Sequence, residues 1–250
     1  MKYISSRRDF LKNTGTLALI IAADRNLAFG QRYGAEAAEW VKEIRLISDR
    51  LLNKNIAPEQ WQYQVSKVYD KINLSEVLKN LDFDAVRAGM DVTRPGGRWN
   101  QVFINGLSDK NSKTKIITKI VGLEKGRAVP PHGHENEVSA FLTLSGKFRT
   151  RLWDRAAVNK DSLDIIPAFD GSSAAGQWSS QSEEKTNVHW LMTESKESFF
   201  LSIRLAKIDG TKSGRERILI DPDEAQEIHK GVFRAPILDK KTWWKKYSRV

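Results

Sequence analysis

The chain has 250 residues, of which 40% are hydrophobic, 29% charged and 9% aromatic, a composition that can bury a core and excludes collagen-like, coiled-coil and largely disordered chains. No run approaches the roughly 20 consecutive apolar residues of a membrane-spanning helix. The absence of cysteine excludes disulfides, thiolate zinc sites, iron–sulfur clusters and a cysteine nucleophile together, so any metal must be held by His, Asp or Glu.

The N-terminus reads as an address. Ser6-Arg7-Arg8-Asp9-Phe10-Leu11-Lys12 resembles the twin-arginine export signal, and a short apolar stretch follows from Thr14 to Ala23. Small-residue sites at Ala28-Phe29-Gly30 and at Ala35-Glu36-Ala37 offer two places for it to end. The resemblance implies a signal peptide over residues 1–30, the twin-arginine machinery as a partner and a periplasmic destination for an already folded protein. That segment holds five basic and two acidic residues, which leaves +7 of the formal net charge of +10 for the rest.

Residues 31–95 carry a helical period. Trp40, Ile44, Ile47 and Leu51 share one helix face, and Trp61, Val65, Val68 and Tyr69 share another in a helix opened by Pro58. A short third helix runs from a Ser75 cap to Leu81.

From residue 96 to 210 the pattern is β. Gln101–Asn105, Lys115–Val121, Val138–Leu144, Phe148–Trp153, Asn187–Met192 and Ser198–Ala206 are short runs rich in β-branched and aromatic residues. No helix-length pattern separates them, which favours an antiparallel sandwich or barrel. Asp161–Lys185, with its Gly171–Gly176 stretch, reads as a long irregular connection. Residues 211–250 read as a basic C-terminal extension, in which His229 follows Asp223-Glu224 on a helix as a surface residue. Its Lys240, Lys241, Lys245, Lys246 and Arg249 interleave with Trp243, Trp244 and Tyr247, a tail that lays its tryptophans on the domain and implies no specific nucleic-acid partner.

The chemistry sits in the histidines. His132-Gly133-His134 places two imidazoles on one face of extended backbone, and His189 stands in a second strand-like run. Neutral imidazole suits iron, nickel, copper and zinc, and three ligands leave coordination positions open.

Gly126, His132-Gly133-His134 and Gly146 meet the first motif of the cupin superfamily at every glycine and histidine, which the chain therefore resembles over about Trp99–Lys207. The resemblance implies a mainly β fold, a double-stranded β-helix or jelly-roll barrel, with the helical segment as a preface and the metal inside. Ser139 stands where the motif has glutamate, and Glu135 and Glu137 are out of register, read as a solvated loop edge, with partners behind the metal ligands or a replacement ligand as the alternatives. One cupin branch, the thiol dioxygenases, also lacks that glutamate and binds iron(II) through three histidines. The match puts His132, His134 and His189 in the metal-ligand positions, with Fe(II) as cofactor and a small thiol and O2 as substrates. Ser202 is kept from the pattern of the cysteine-oxidising enzymes, while Arg204 and Ala206 replace its histidine and tyrosine. The helical preface and Ser145–Phe148 look more like the cysteamine and N-terminal-cysteine oxidising relatives. Arg98 and Arg204 are the candidates for binding a substrate carboxylate. Cupins often pair through their sheets, which implies a homodimer. The alternative is a non-catalytic cupin that binds a small ligand or metal.

Overall fold

The computed structural model describes residues 38–93, 98–104, 106–108, 116–211 and 217–249. The export-signal reading over residues 1–30 lies outside them. Among the described residues four helices come first: α1 (Glu39–Leu52), α2 (Pro58–Tyr69), α3 (Leu74–Asn80) and α4 (Phe83–Ala88). Pro58 opens α2, where the Gln60 side chain accepts from the Ala57 N–H at 2.9 Å. Asn73, two residues before the expected Ser75, caps α3 by accepting from the amides of Ser75 and Glu76.

Twelve strands follow: β1 (Arg98–Gln101), β2 (Ile116–Glu124), β3 (Ala128–Gly133), β4 (Glu137–Ser145), β5 (Lys147–Val158), β6 (Ser162–Ala174), β7 (Trp178–Gln181), β8 (Val188–Thr193), β9 (Glu197–Ala206), β10 (Ile218–Leu219), β11 (Gln226–His229) and β12 (Val232–Pro236); the helix α5 (Lys240–Tyr247) comes last. One sheet runs β1-β2-β9-β4-β7 and the other β10-β3-β8-β5-β6-β12-β11, every pair antiparallel. Strands β2 to β9 alternate between the sheets as 2-9-4-7 over 3-8-5-6. That is the order of a jelly roll, the double-stranded β-helix implied by the sequence.

Alternation explains how the first sheet is covered on both faces. Ile116 and Ile120 of β2, Val138, Ala140 and Leu142 of β4, and Phe199, Leu201 and Ile203 of β9 share a core with Trp40, Ile44, Trp61 and Val65 of the helices. The intervening residues of the same strands point into the barrel. Gly146 turns β4 into β5 with φ +76°, and a Cβ there would lie 2.4 Å from the Glu197 carbonyl oxygen, so the hairpin needs glycine.

Several expectations are corrected. Asp161–Lys185 is not irregular: it forms β6 and β7, and the outer half of β6, exposed at Ile166–Asp170, carries no buried stripe for a period to reveal. His132 and Gly133 end a strand of their own, β3, and His134 follows it, because Asn136 turns the chain at φ 56° before β4 begins. The strand expected over Gln101–Asn105 lies earlier, at β1, and Val102 and Ile104 beyond it are buried outside the ladder. His229 is exposed as expected but lies in β11 rather than on a helix. Residues 218–236 add β10, β11 and β12 to the larger sheet, and α5 packs Trp243 and Tyr247 against Trp190, Ile218 and Ile220. Trp244 stays 37% exposed.

Candidate metal centre

His132 and His189 are direct cross-strand partners of β3 and β8, and His134 follows the end of β3. All three are buried, with ring centroids 4.2 Å (His132–His189), 4.8 Å (His132–His134) and 5.4 Å (His134–His189) apart. Their ligating atoms all lie within 4.8 Å of one another.

Each ring has one nitrogen turned outward to a partner. Nδ1 of His132 lies 2.7 Å from the Pro130 carbonyl, Nδ1 of His189 3.4 Å from the Asn187 carbonyl, and Nδ1 of His134 3.4 Å from Glu137 Oε1. An acceptor at Nδ1 holds the proton there and leaves Nε2 as the lone-pair donor, the arrangement that orients metal-binding histidines. Burial pushes the His189 imidazole down to about 3 and drives His132 well below 6.5, where the neighbouring His189, His134 and Arg217 charges add to the effect. His132 and His189 are thus neutral at ordinary pH, the form a metal needs. This donor set, nitrogen-only and pre-oriented, fits a divalent transition metal.

Asn187 holds the turn that carries His134. Its Nδ2 donates to the carbonyls of His134 at 2.8 Å and Ser182 at 3.0 Å, and its Oδ1 accepts from the His134 N–H at 3.3 Å. Gly133 lets it approach: a Cβ there would lie 2.5 Å from Asn187 Oδ1.

The histidines open onto a cavity of about 260 Å³ between the sheets. Across it, the inward faces of β2, β9 and β4 align Lys119 with Ser202 and Phe141, and Ile117 with Arg204 and Ser139. Ser139 donates to Gln181 Oε1 at 2.8 Å and so brings no carboxylate to the histidines. Trp243 closes one side, its indole N–H donating to the Pro131 carbonyl at 2.6 Å and its ring 6.0 Å from that of His132.

Of the sequence candidates, His132, His134 and His189 come together, and Arg204 lines the same cavity. Arg98 opens β1, but its side chain lies outside the described residues. Glu137 is not at a solvated edge: it is 4% exposed, with His134 at one oxygen and the Arg204 guanidinium 3.3 Å from the other. Alternation held the clue, since Glu137 shares a strand face with Ser139. Lys119, Asn187, Arg217 and Trp243 were not singled out as site residues. Asn187 lies two residues before His189, and Lys119 alternates with the apolar residues of its strand that face the helices.

No protein-family model matches the chain, and no curated protein matches it. Solved structures similar to it include oxalate oxidase (15% identical over 47% of this chain and 55% of that one, TM-score 0.35). Oxalate decarboxylase from Bacillus subtilis is 19% identical over 38% of this chain and 22% of that one, TM-score 0.29. KdgF from Halomonas sp. is 13% identical over 49% of this chain and 90% of that one, TM-score 0.35. The chain spans 21% of procruciferin, an 11S globulin from Brassica napus, and about half of oxalate oxidase.

Proposed function

We propose that the chain is a metal-dependent jelly-roll oxidoreductase of the thiol dioxygenase kind, holding iron(II) through His132, His134 and His189. In this reading one small thiol and one O2 are consumed, and both oxygen atoms end on sulfur as a sulfinate. The observation that carries it is the donor set: three buried imidazoles, each with Nδ1 turned to an acceptor, and no carboxylate in the group among the described residues. Glu137, the carboxylate nearest to them in the cavity lining, is turned to His134 Nδ1 and Arg204. Neutral ligands leave an ion its full double charge, which favours binding the thiol as thiolate beside open positions for oxygen. Bound there, iron(II) would supply the redox chemistry with O2.

The chain's own residues bind and orient. Burial keeps the His132 and His189 imidazoles neutral, the Nδ1 contacts fix the direction of all three rings, and Phe141 and Trp243 line the cavity beside them. Arg204 serves as a substrate contact on the wall facing the histidines, with Arg98 as the second candidate. The twin-arginine motif at residues 6–12 supports export of the folded, metal-loaded protein to the periplasm, and pairing of two barrels through their sheets would make the working form a homodimer.

Elemental analysis of the purified protein beside His132→Ala and His189→Ala, followed by oxygen uptake with a panel of small thiols, tests the reading. Iron lost in both variants together with thiol-dependent oxygen uptake supports it. Metal without uptake gives the binding-protein alternative, and no metal after reconstitution removes the site.

A further inference from the structure

We propose that the groove between α2 and strands β5, β6 and β7 is a second binding site, one for a short neutral saccharide. It shares no lining residue with the histidine cavity and stands independently of the oxidation reading.

The groove has a volume of about 610 Å³, within the range of small-molecule sites. Glu59, Gln62, Tyr63 and Ser66 bring one face of α2 to it, and Thr150, Leu152 and Asp154 bring one face of β5. Three aromatic rings reach it from three elements. Tyr63 of α2 and Phe169 of β6 are 63% and 45% exposed, so both leave ring surface for a ligand to cover. Gly171 makes room for the Phe169 ring, because a Cβ there would lie 2.8 Å from its Cζ. Trp178 of β7 stacks on the buried Tyr69 with centroids 6.0 Å apart, which fixes the plane of the indole. Gln62 holds the walls together: its Nε2 donates to the Ser180 carbonyl at 2.7 Å and to Thr186 Oγ1 at 3.0 Å, so the site is formed before any ligand arrives.

A pyranose ring has an apolar face of C–H groups and a rim of hydroxyls that both donate and accept. Aromatic rings suit the face, while side-chain hydroxyls and amides suit the rim. The groove supplies the polar partners as well. Ser173 and Ser179 line it, and so does Thr150, which is 1% exposed and whose Oγ1 has no hydrogen-bond partner within the protein. A buried hydroxyl left unpaired costs stability that a ligand hydroxyl would recover. The charges argue against an ionic ligand. Asp154 is taken up by Lys185 Nζ and by the Thr186 amide, both at 2.8 Å, which leaves Glu59 as the remaining charged residue of the lining. One exposed carboxylate repels an acid, is too little to hold a cation, and accepts from a sugar hydroxyl.

The test is calorimetric titration of the full chain with cellobiose, maltose and N,N′-diacetylchitobiose, beside digalacturonate as the acidic control. At least one of the three neutral disaccharides should bind with a Kd of about 1 mM or tighter, with no loss of affinity as salt is raised. Tyr63→Ala and Phe169→Ala should each weaken that sugar about tenfold. Thr150→Val should weaken it severalfold while its thermal transition stays at or above that of the wild type, because the hydroxyl removed has no partner. Both aromatic positions are exposed, and the thermal transition of each variant shows that the fold persists. His132→Ala should bind the sugar as the wild type does. Binding of none of the three at about 10 mM, wild-type affinity in any one of the three groove variants, or loss of binding in His132→Ala overturns the proposal. So does a preference for digalacturonate that fades with salt. Protection of the amides of residues 59–66 from hydrogen exchange by a tryptic digest of casein, with none from the sugars, would give the groove to a peptide and overturn it too. Sugar binding without thiol-dependent oxygen uptake would sink the oxidation reading and leave this site standing.

Discussion

Nδ1 of His134 lies 3.4 Å from one oxygen of Glu137, and the other oxygen of the same carboxylate lies 3.3 Å from Nε of Arg204. The carboxylate thus ties a histidine of the larger sheet's end to the wall of the smaller sheet. A carboxylate behind a metal-binding imidazole raises its basicity and fixes its ring, and loss of such a partner typically weakens metal binding about 10- to 100-fold. Glu137→Gln keeps the shape and removes the charge, so its affinity for iron(II) or zinc, measured by chelator competition, should fall within that range. Glu137→Ala should fall further, because it also leaves Arg204 without this carboxylate. Wild-type metal affinity in both variants would remove Glu137 from the support of the site.

Gly133 separates the paired histidines, and the reason is steric. A Cβ at this position would meet Asn187 Oδ1 at 2.5 Å and the Val188 side chain at 3.3 Å. Asn187 then has to move, and with it the hydrogen bonds that hold the His134 backbone. Gly133→Ala should therefore cost metal affinity out of proportion to stability, about 1–3 kcal/mol of fold stability from the overpacked contact. Denaturant unfolding of the apoprotein beside metal titration separates the two effects, and an unchanged metal affinity would show that Asn187 does not position His134.

The sequence made the barrel legible where strands alternate against a covered face, as in β2, β4 and β9, and the histidines where the H-x-H spacing shares one face. It failed where alternation has nothing to bury. The outer half of β6 is solvated on both faces, so its Gly171-Ser172-Ser173 run carries turn composition without being a turn. Glu137 was misread for a different reason. A charged residue beside a turn is usually solvated, and only the pairing of β4 with β9 and the return of His134 bring it a buried partner, His134, and a half-buried one, Arg204. Trp243 is the long-range case: 112 residues separate it from the Pro131 carbonyl it binds, and no local pattern encodes that contact.

The helical preface is bound to the barrel through Trp61. Its side chain is fully buried, and its indole N–H donates to Ser48 Oγ of α1 at 3.1 Å. Trp61→Ala removes a large ring from the core shared by α1, α2 and the smaller sheet, and should lower unfolding free energy by about 3–5 kcal/mol. The histidines hang from the opposite sheet, so metal affinity of the fraction that remains folded should change little. Urea denaturation checks the first expectation and metal titration below the transition the second; a loss under 1 kcal/mol would mean that the preface is not part of the cooperative unit.

Asp221 clasps the C-terminal helix over the cavity. Its carboxylate accepts from Lys246 Nζ at 2.8 and 2.9 Å and from the Tyr247 hydroxyl, while Trp243 of the same helix seals the cavity beside His132. Burial pushes this carboxyl up, but the hydrogen bonds from Lys246 and Tyr247 outweigh it and hold the group below its usual 3.8. A carboxyl lowered on folding adds stability that is fully present above its unfolded value and is lost as pH falls through the folded one. Tyr247→Phe removes one hydrogen bond to a charged acceptor and should cost about 1.5–3 kcal/mol at pH 7. The gap between wild type and variant should hold from pH 7 down to about 5 and narrow as pH falls below 3.8 through the lowered folded value, where Asp221 becomes protonated in both proteins. Guanidinium unfolding across that range measures it. A gap that persists unchanged at pH 3 would mean that the phenol contributes packing alone and that the Asp221 charge does not hold the helix.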